Sequence, residues 1–139
     1  MFERCLYFNL NALTRAVNTI WNDAFAEFGL SPAHAYLLRL VLNDRGLTPK
    51  QISFELKLEK STVTRFLDVL AKKGFITRKK GINKDAREQS IYPTPEAEKI
   101  SVKLEEKGNE LYQQMINQIG EPKLISLVTQ LHNTRTKIK

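Results

Sequence analysis

The feature that most constrains this chain is an apolar stripe at helical spacing near its start. Leu6, Leu10, Leu13, Val17, Trp21, Ala24 and Phe28 follow one another at intervals of 4, 3, 4, 4, 3 and 4 residues. Such intervals hold one face of an α-helix apolar over several turns, and they do not fit the two-residue repeat of a strand. Gly29 supplies a C-terminal stop. A stripe of this kind on a terminal helix serves either as core or as a surface for a partner chain, and the sequence leaves both open.

Helical signals continue beyond Gly29. Ser31-Pro32 is an N-cap followed by Pro in the first helical position, a pairing that starts helices. It predicts a second helix over 32–43 with Tyr36, Leu37, Leu40 and Val41 turned inward. Thr48-Pro49 repeats the device and begins a short third helix with Ile52 and Leu56 on one face. A break at Lys57-Leu58-Glu59 leads to a fourth helix, about 60–73, ended by Gly74. The pattern then changes. Phe75 to Lys79 reads as a strand, Gly81 to Asp85 as a loop tip and Glu88 to Tyr92 as the returning strand. Thr94-Pro95-Glu96 caps a long fifth helix with Ile100, Leu104, Leu111, Met115 and Ile119 on its apolar side. After Gly120-Glu121-Pro122 a last helix carries Leu124, Leu127, Val128 and Leu131.

Composition narrows the classes of function. The chain has 139 residues, 42% hydrophobic and 27% charged, which is the composition of one folded domain and not of a disordered segment. The net charge is +7, and an excess of this size points to a polyanionic partner, nucleic acid or an anionic membrane surface. It is unevenly placed. Residues 1–46 hold four basic and four acidic side chains, 47–99 hold twelve and seven, and 100–139 hold six and four. Taken alone, the central excess also fits a solvated surface. No apolar run approaches the roughly 18 residues of a membrane span, and the polar residues from Glu3 to Arg15 fit no signal peptide. The expectation is a soluble, cytoplasmic protein with no membrane association.

A short helix, a tight turn, a longer helix and a basic hairpin together outline a winged helix-turn-helix. The fourth helix fits in detail. Val63, Phe66, Leu67 and Leu70 form its anchoring face, which turns Ser61, Thr62, Arg65 and Lys72 outward. Ser and Thr bond phosphates or base edges without crowding, and Arg bonds guanine O6 and N7 with both arms of its fork. By themselves Ser61 and Thr62 read equally well as caps of a surface helix. The hairpin tips the balance, because Arg78, Lys79, Lys80, Lys84 and Arg87 lie within ten residues and can straddle a backbone and enter a minor groove.

The run from Thr48 to Arg78 resembles the DNA-binding core of MarR-type transcriptional regulators. The match rests on Ser61-Thr62-Val63-Thr64-Arg65, on Asp68 and Leu70, on Lys73-Gly74-Phe75-Ile76 with Arg78, and on Asp85-Ala86-Arg87 as a D-x-R wing motif. More loosely, the resemblance covers nearly the whole chain. It implies a mainly α fold: a winged helix-turn-helix with a two-stranded β-wing and long N- and C-terminal dimerisation helices. The expected layout is a single domain, 1–139, with dimerisation helices at 1–29 and 100–139 and a winged region at 32–94 (helix-turn-helix about 48–73, wing about 75–93).

The implied function is that of a repressor binding a pseudo-palindromic operator on double-stranded DNA as a homodimer. Lys60, Ser61, Thr62, Thr64 and Arg65 are expected at the major groove. Arg78, Lys79, Lys80, Lys84, Asp85 and Arg87 are expected in the wing, with Asp85 orienting Arg87 by a charge-assisted bond. Relatives bind small aromatic acids between the first helices and the winged region, which makes Trp21, Phe25 and Tyr36 candidate pocket residues; each ring also reads as plain core. The chain departs from the family pattern at Pro93-Thr94 and Ala97, where Leu-Thr and a Gly are usual. Pro93 lacks an N–H, so the strand is expected to end there or lie at an edge.

Other chemistries find little support. The single cysteine, Cys5, excludes an internal disulfide and invites a redox-responsive reading, but a lone Cys on an amphipathic helix reads first as a small buried hydrophobe. His34 and His132 make a weak ligand set, so no metal or cofactor is expected. There is no phosphate loop, nucleophile elbow or H-E-x-x-H motif, so no enzymatic activity is expected. The rival class is a winged-helix module that binds protein. Its outward positions would be apolar or acidic, unlike Ser61, Thr62 and Arg65.

Overall fold

The computed structural model describes residues 1–81 and 87–138. Its elements are α1 (Leu6–Phe25), followed by a 3-10 turn (Ala26–Phe28), then α2 (Pro32–Asn43), α3 (Pro49–Leu56), α4 (Lys60–Lys72), β1 (Ile76–Lys80), β2 (Gln89–Pro93), α5 (Pro95–Ile119) and α6 (Glu121–Lys137). The chain divides into two compact units, Met1–Glu105 and Glu106–Lys139.

Local chemistry sets the boundaries in the first unit. Gly29 adopts a left-handed conformation (φ +66°), and its N–H bonds Ala26 O to close the 3-10 turn. Ser31 Oγ accepts the His34 N–H at the start of α2. Thr48 and Gln51 form a reciprocal capping box at α3. The turn into α4 passes through Lys57 at φ +56°, a conformation that costs a non-glycine residue about 1–2 kcal/mol. It is held by Ser53 Oγ donating to Leu58 O at 2.5 Å and by Leu58 N donating to Ser53 O at 3.1 Å. Strands β1 and β2 pair antiparallel with Ile76 opposite Pro93 and Lys80 opposite Gln89. Pro93 is the last residue of β2, where its missing N–H breaks no interior ladder. Just beyond it Thr94 N bonds Phe75 O, and Thr94 Oγ1 donates to Gly74 O and accepts from Ala97 N. One side chain thus ties the end of α4, the wing and the first turn of α5.

The core of this unit gathers around α2. Ala35, Leu37, Leu38 and Val41 are buried, with Ile52 from α3, Val63, Leu67 and Leu70 from α4, and Ile76 and Ile91 from the wing. An isolated bridge between Leu47 and Ile91 joins the α2–α3 loop to β2. It brings Gly46 so close to Tyr92 that a Cβ there would lie 3.1 Å from the phenolic oxygen, at φ +86°. A Cβ there would press on the Tyr92 ring tip, and the positive φ itself favours glycine. In the second unit Leu111, Met115 and Leu124 are buried.

Several inward assignments need correction. In α2, Tyr36 is 38% exposed and Leu40 half-buried, while Leu38 is wholly buried; α2 packs against α1, α3, α4 and β2 at once, so its buried face is wider than one stripe. In α1 the wholly buried residue is Phe25, whereas Leu6, Leu10 and Leu13 are exposed. Phe66 of α4 is half-buried. Ile119, Val128 and Leu131 are exposed. Cys5 is not a buried hydrophobe. Its thiol is exposed and caps α1, accepting the Phe8 N–H at 3.5 Å.

Candidate nucleic-acid interface

Helix α4 is anchored on one side and open on the other. Val63, Leu67 and Leu70 are buried, and Lys60, Ser61, Thr64 and Arg65 are exposed, with Thr62 half-buried. Glu59 is the N-cap but makes no side-chain capping bond. The first-turn N–H groups of a 13-residue helix are therefore not claimed by the cap and can meet a phosphate. Thr64 Oγ1 donates to Lys60 O at 3.0 Å, which turns that hydroxyl back to its own helix. Arg65 Nη2 donates to Thr62 Oγ1 at 3.3 Å, a long, exposed bond that a better acceptor would replace.

The wing follows directly. Ile76 is the buried residue of β1, and Thr77, Arg78, Lys79 and Lys80 are exposed. Lys79 Nζ lies 4.8 Å from the centre of the Tyr92 ring, a cation–π contact. Arg78 Nη2 donates to Asp68 Oδ1 at 2.5 Å, which fastens β1 to α4. Arg87 is exposed. Lys84 and Asp85 lie outside the described residues, and so does the expected orientation of Arg87 by Asp85.

The Asp68–Arg78 pair was not anticipated as a contact, although both residues carried the family resemblance. Their side chains are 60% and 30% exposed, so the pair adds little to stability. Its effect is positional: it sets the wing relative to the outward face of α4. Asp68→Asn is expected to leave stability within about 1 kcal/mol while weakening DNA binding. Thermal melting and fluorescence anisotropy on the same preparation check this, and unchanged anisotropy would make the pair incidental.

The three candidate pocket residues do come together. Trp21 Nε1 donates to Tyr36 Oη at 3.1 Å, and the Phe25 and Tyr36 rings meet edge-on at 5.9 Å. Of the three, Tyr36 lines a cleft of about 380 Å³ together with Arg39, Leu40, Asn43, Glu55, Leu56 and Glu105. Arg39 packs over the Tyr36 ring at 4.8 Å. Its Nε and Nη2 donate to the two Glu105 oxygens at 2.9 and 3.1 Å. This fork holds the Glu105 carboxyl below the usual carboxylate range. The sign follows: the tie between α2 and α5 is intact at neutral pH and is lost as acid protonates Glu105. Arg45 and Glu98 form a second such tie. Among the described residues no group of three or more His, Cys, Asp or Glu is placed to hold a metal, and no helix is long and apolar enough to cross a membrane.

An outward polar helix anchored on a compact helical core, followed by a basic two-stranded wing, defines a winged helix-turn-helix protein. The sequence profile of the MarR family matches residues 28–88. That match covers the winged-helix core, which is therefore similar to that of MarR-family proteins. It is similar to the HTH-type transcriptional repressor YetL of Bacillus subtilis (strain 168), 27% identical over 113 residues, which is 80% of this chain and 60% of that protein. The chain thus spans less than two thirds of the length of that relative. In fold it is similar to the PcaV transcriptional regulator of Streptomyces coelicolor, solved in complex with its natural ligand, with a TM-score of 0.87, 16% identity and coverage of 100% of this chain and 97% of that one. It is similar also to MepR of S. aureus, solved as a DNA complex, with a TM-score of 0.86, 18% identity and coverage of 98% and 100%.

Proposed function

We infer that this chain is a transcriptional regulator, a repressor that binds a pseudo-palindromic operator as a homodimer. The observation that carries the reading is the outward face of α4. Lys60, Ser61, Thr62 and Arg65 stand over a buried Val63-Leu67-Leu70 anchor, and the exposed basic strand β1 is fastened beside them. Phosphate contacts from the wing and Lys60 supply affinity, and Ser61, Thr62 and Arg65 supply sequence choice, with Thr64 beside them on the same helix. Residues 32–94 form the DNA-binding region. Residues 1–29 and 100–139 form the dimerisation helices, a role supported by exposed apolar side chains at Leu6, Leu10 and Leu13 in the first unit and Ile125, Val128 and Leu131 in the second. Surfaces of this kind meet a symmetric copy. The protein works in the cytoplasm. A small aromatic acid is its effector, and the Arg39 cleft beside Tyr36 supports that reading.

Three measurements test it. Sedimentation at micromolar concentration is expected to show twice the 16.0 kDa chain mass, and a 16.0 kDa species would sink the dimer. Arg87→Ala is expected to lower DNA affinity and flatten its salt dependence by about one unit of log–log slope, with little change in melting temperature. Unchanged affinity with a lowered melting temperature would make Arg87 structural. If random duplexes compete as well as duplexes selected from a pool, the operator reading fails.

A further inference from the structure

His34 sits where α2 meets the recognition helix. It lies in the first turn of α2, and its ring centre is 4.5 Å from that of Phe66 on α4, tilted by 53°. Its Nδ1 is 2.5 Å from Ser31 Oγ, the same oxygen that accepts the His34 backbone N–H at 3.3 Å. Its Nε2 is buried and has no hydrogen-bond partner among the described residues. In either neutral tautomer, then, Nδ1 serves Ser31 and Nε2 is left without a partner among the described residues. Phe66 lies between Arg65 and Leu67, so the position of this ring bears directly on how the outward face of α4 is presented.

We propose that His34 is a positioning residue for DNA recognition: its neutral ring, held by Ser31 and packed on Phe66, seats α4, and protonation of that ring unseats α4 and weakens operator binding. The inference rests on the reading of α4 as the helix in the groove. A protonated ring would place an N–H⁺ at Nε2 with no acceptor, which burial makes costly. It would also put a cation at the positive end of α2. The charge that acts on the ring is the ammonium of Lys73, the C-cap residue of α4, and no acidic residue stands in the first turn of α2 to offset it. Burial first, then Lys73, holds the His34 pKa below its ordinary value. An imidazolium would be drawn to the Phe66 ring, which opposes these two effects; the direction of the shift is the one set by burial and Lys73. The seat is intact at neutral pH, and the cost of protonation appears only as pH falls below about 6.5, the ordinary histidine value.

The experiment pairs NMR with binding. With two histidines in the chain, the His34 ring is readily assigned by comparison with His34→Gln. The expected result is a ring that titrates below the ordinary histidine range, with Phe66 ring signals and the amides of Val63 to Leu70 following the same curve. Over the same range wild-type affinity for a selected operator duplex should fall by up to about tenfold per pH unit for each ring titrated, the limit for one proton excluded from the bound state. Binding to a scrambled duplex should fall less. His34→Gln should abolish the α4 response and leave operator affinity flat relative to wild type. Phe66→Leu, which keeps an apolar anchor without the ring, should separate the His34 titration from the α4 amides. If α4 ignores the His34 titration in the wild type, or if His34→Gln keeps the wild-type pH profile, the proposal is overturned. If α4 follows the ring but operator and scrambled duplexes respond alike, the seat stands and the reading of α4 fails.

Discussion

Replacing Arg65 with Ala is expected to cost about 1–3 kcal/mol of operator affinity per half-site and to relax preference at one base pair. Arg65 is exposed on the face of α4 opposite Val63, Leu67 and Leu70. Its one resolved partner is the Thr62 hydroxyl at 3.3 Å, so the guanidinium gives up little when it turns toward a guanine edge. Non-specific binding should fall much less, because it follows total charge and not one bidentate geometry. Stability should change by no more than about 0.5 kcal/mol, as for most exposed substitutions. The measurement compares operator and scrambled duplexes at fixed salt for wild type and variant. Equal losses on both would make Arg65 a phosphate clamp and leave base readout to Ser61 and Thr62, since Thr64 Oγ1 is already committed to Lys60 O. No loss on either would remove α4 from the groove.

The helices were legible because their signals are local. The Ser31-Pro32 and Thr48-Pro49 pairs mark starts that the structure places at Pro32 and Pro49, and the change of pattern after Gly74 marks the hairpin to within a residue at each strand end. What escaped was set by contacts distant in sequence. Leu47 bridges Ile91, and Arg39 pairs with Glu105 across 66 positions; no periodicity within one helix encodes either. The left-handed Lys57 escaped for another reason. Nothing in Lys marks that conformation, which here is imposed by the Ser53–Leu58 bonds that close the turn. The candidate site divides in the same way. The outward set on α4 follows from helical geometry once the apolar face is known. The link from Asp68 to Arg78 and the contact of His34 with Phe66 depend on how α4 meets β1 and α2, and so required the fold.

The same distinction settles how the aromatic residues where α1 meets α2 should behave when cut back. Phe25→Ala is expected to destabilise the protein by about 3–5 kcal/mol, the usual cost of removing a wholly buried ring and leaving a cavity. Phe25 has no exposed surface, and it packs against Phe28 at 6.2 Å and Tyr36 at 5.9 Å. Interiors as dense as this relax only partly around such a loss. Tyr36→Phe provides the contrast. It keeps the ring against Phe25 and removes only the hydroxyl that accepts from Trp21 Nε1. Because Tyr36 is 38% exposed, water can serve Trp21 in part, and the cost should stay near about 0.5–1.5 kcal/mol. Chemical denaturation of both variants, read as a shift in midpoint at constant slope, measures the difference. If Phe25→Ala melted like wild type, the ring would not be core at all, and Phe25 would return as a ligand wall. The outcome expected from its burial is the reverse: a large loss of stability at Phe25 and a small one at Tyr36.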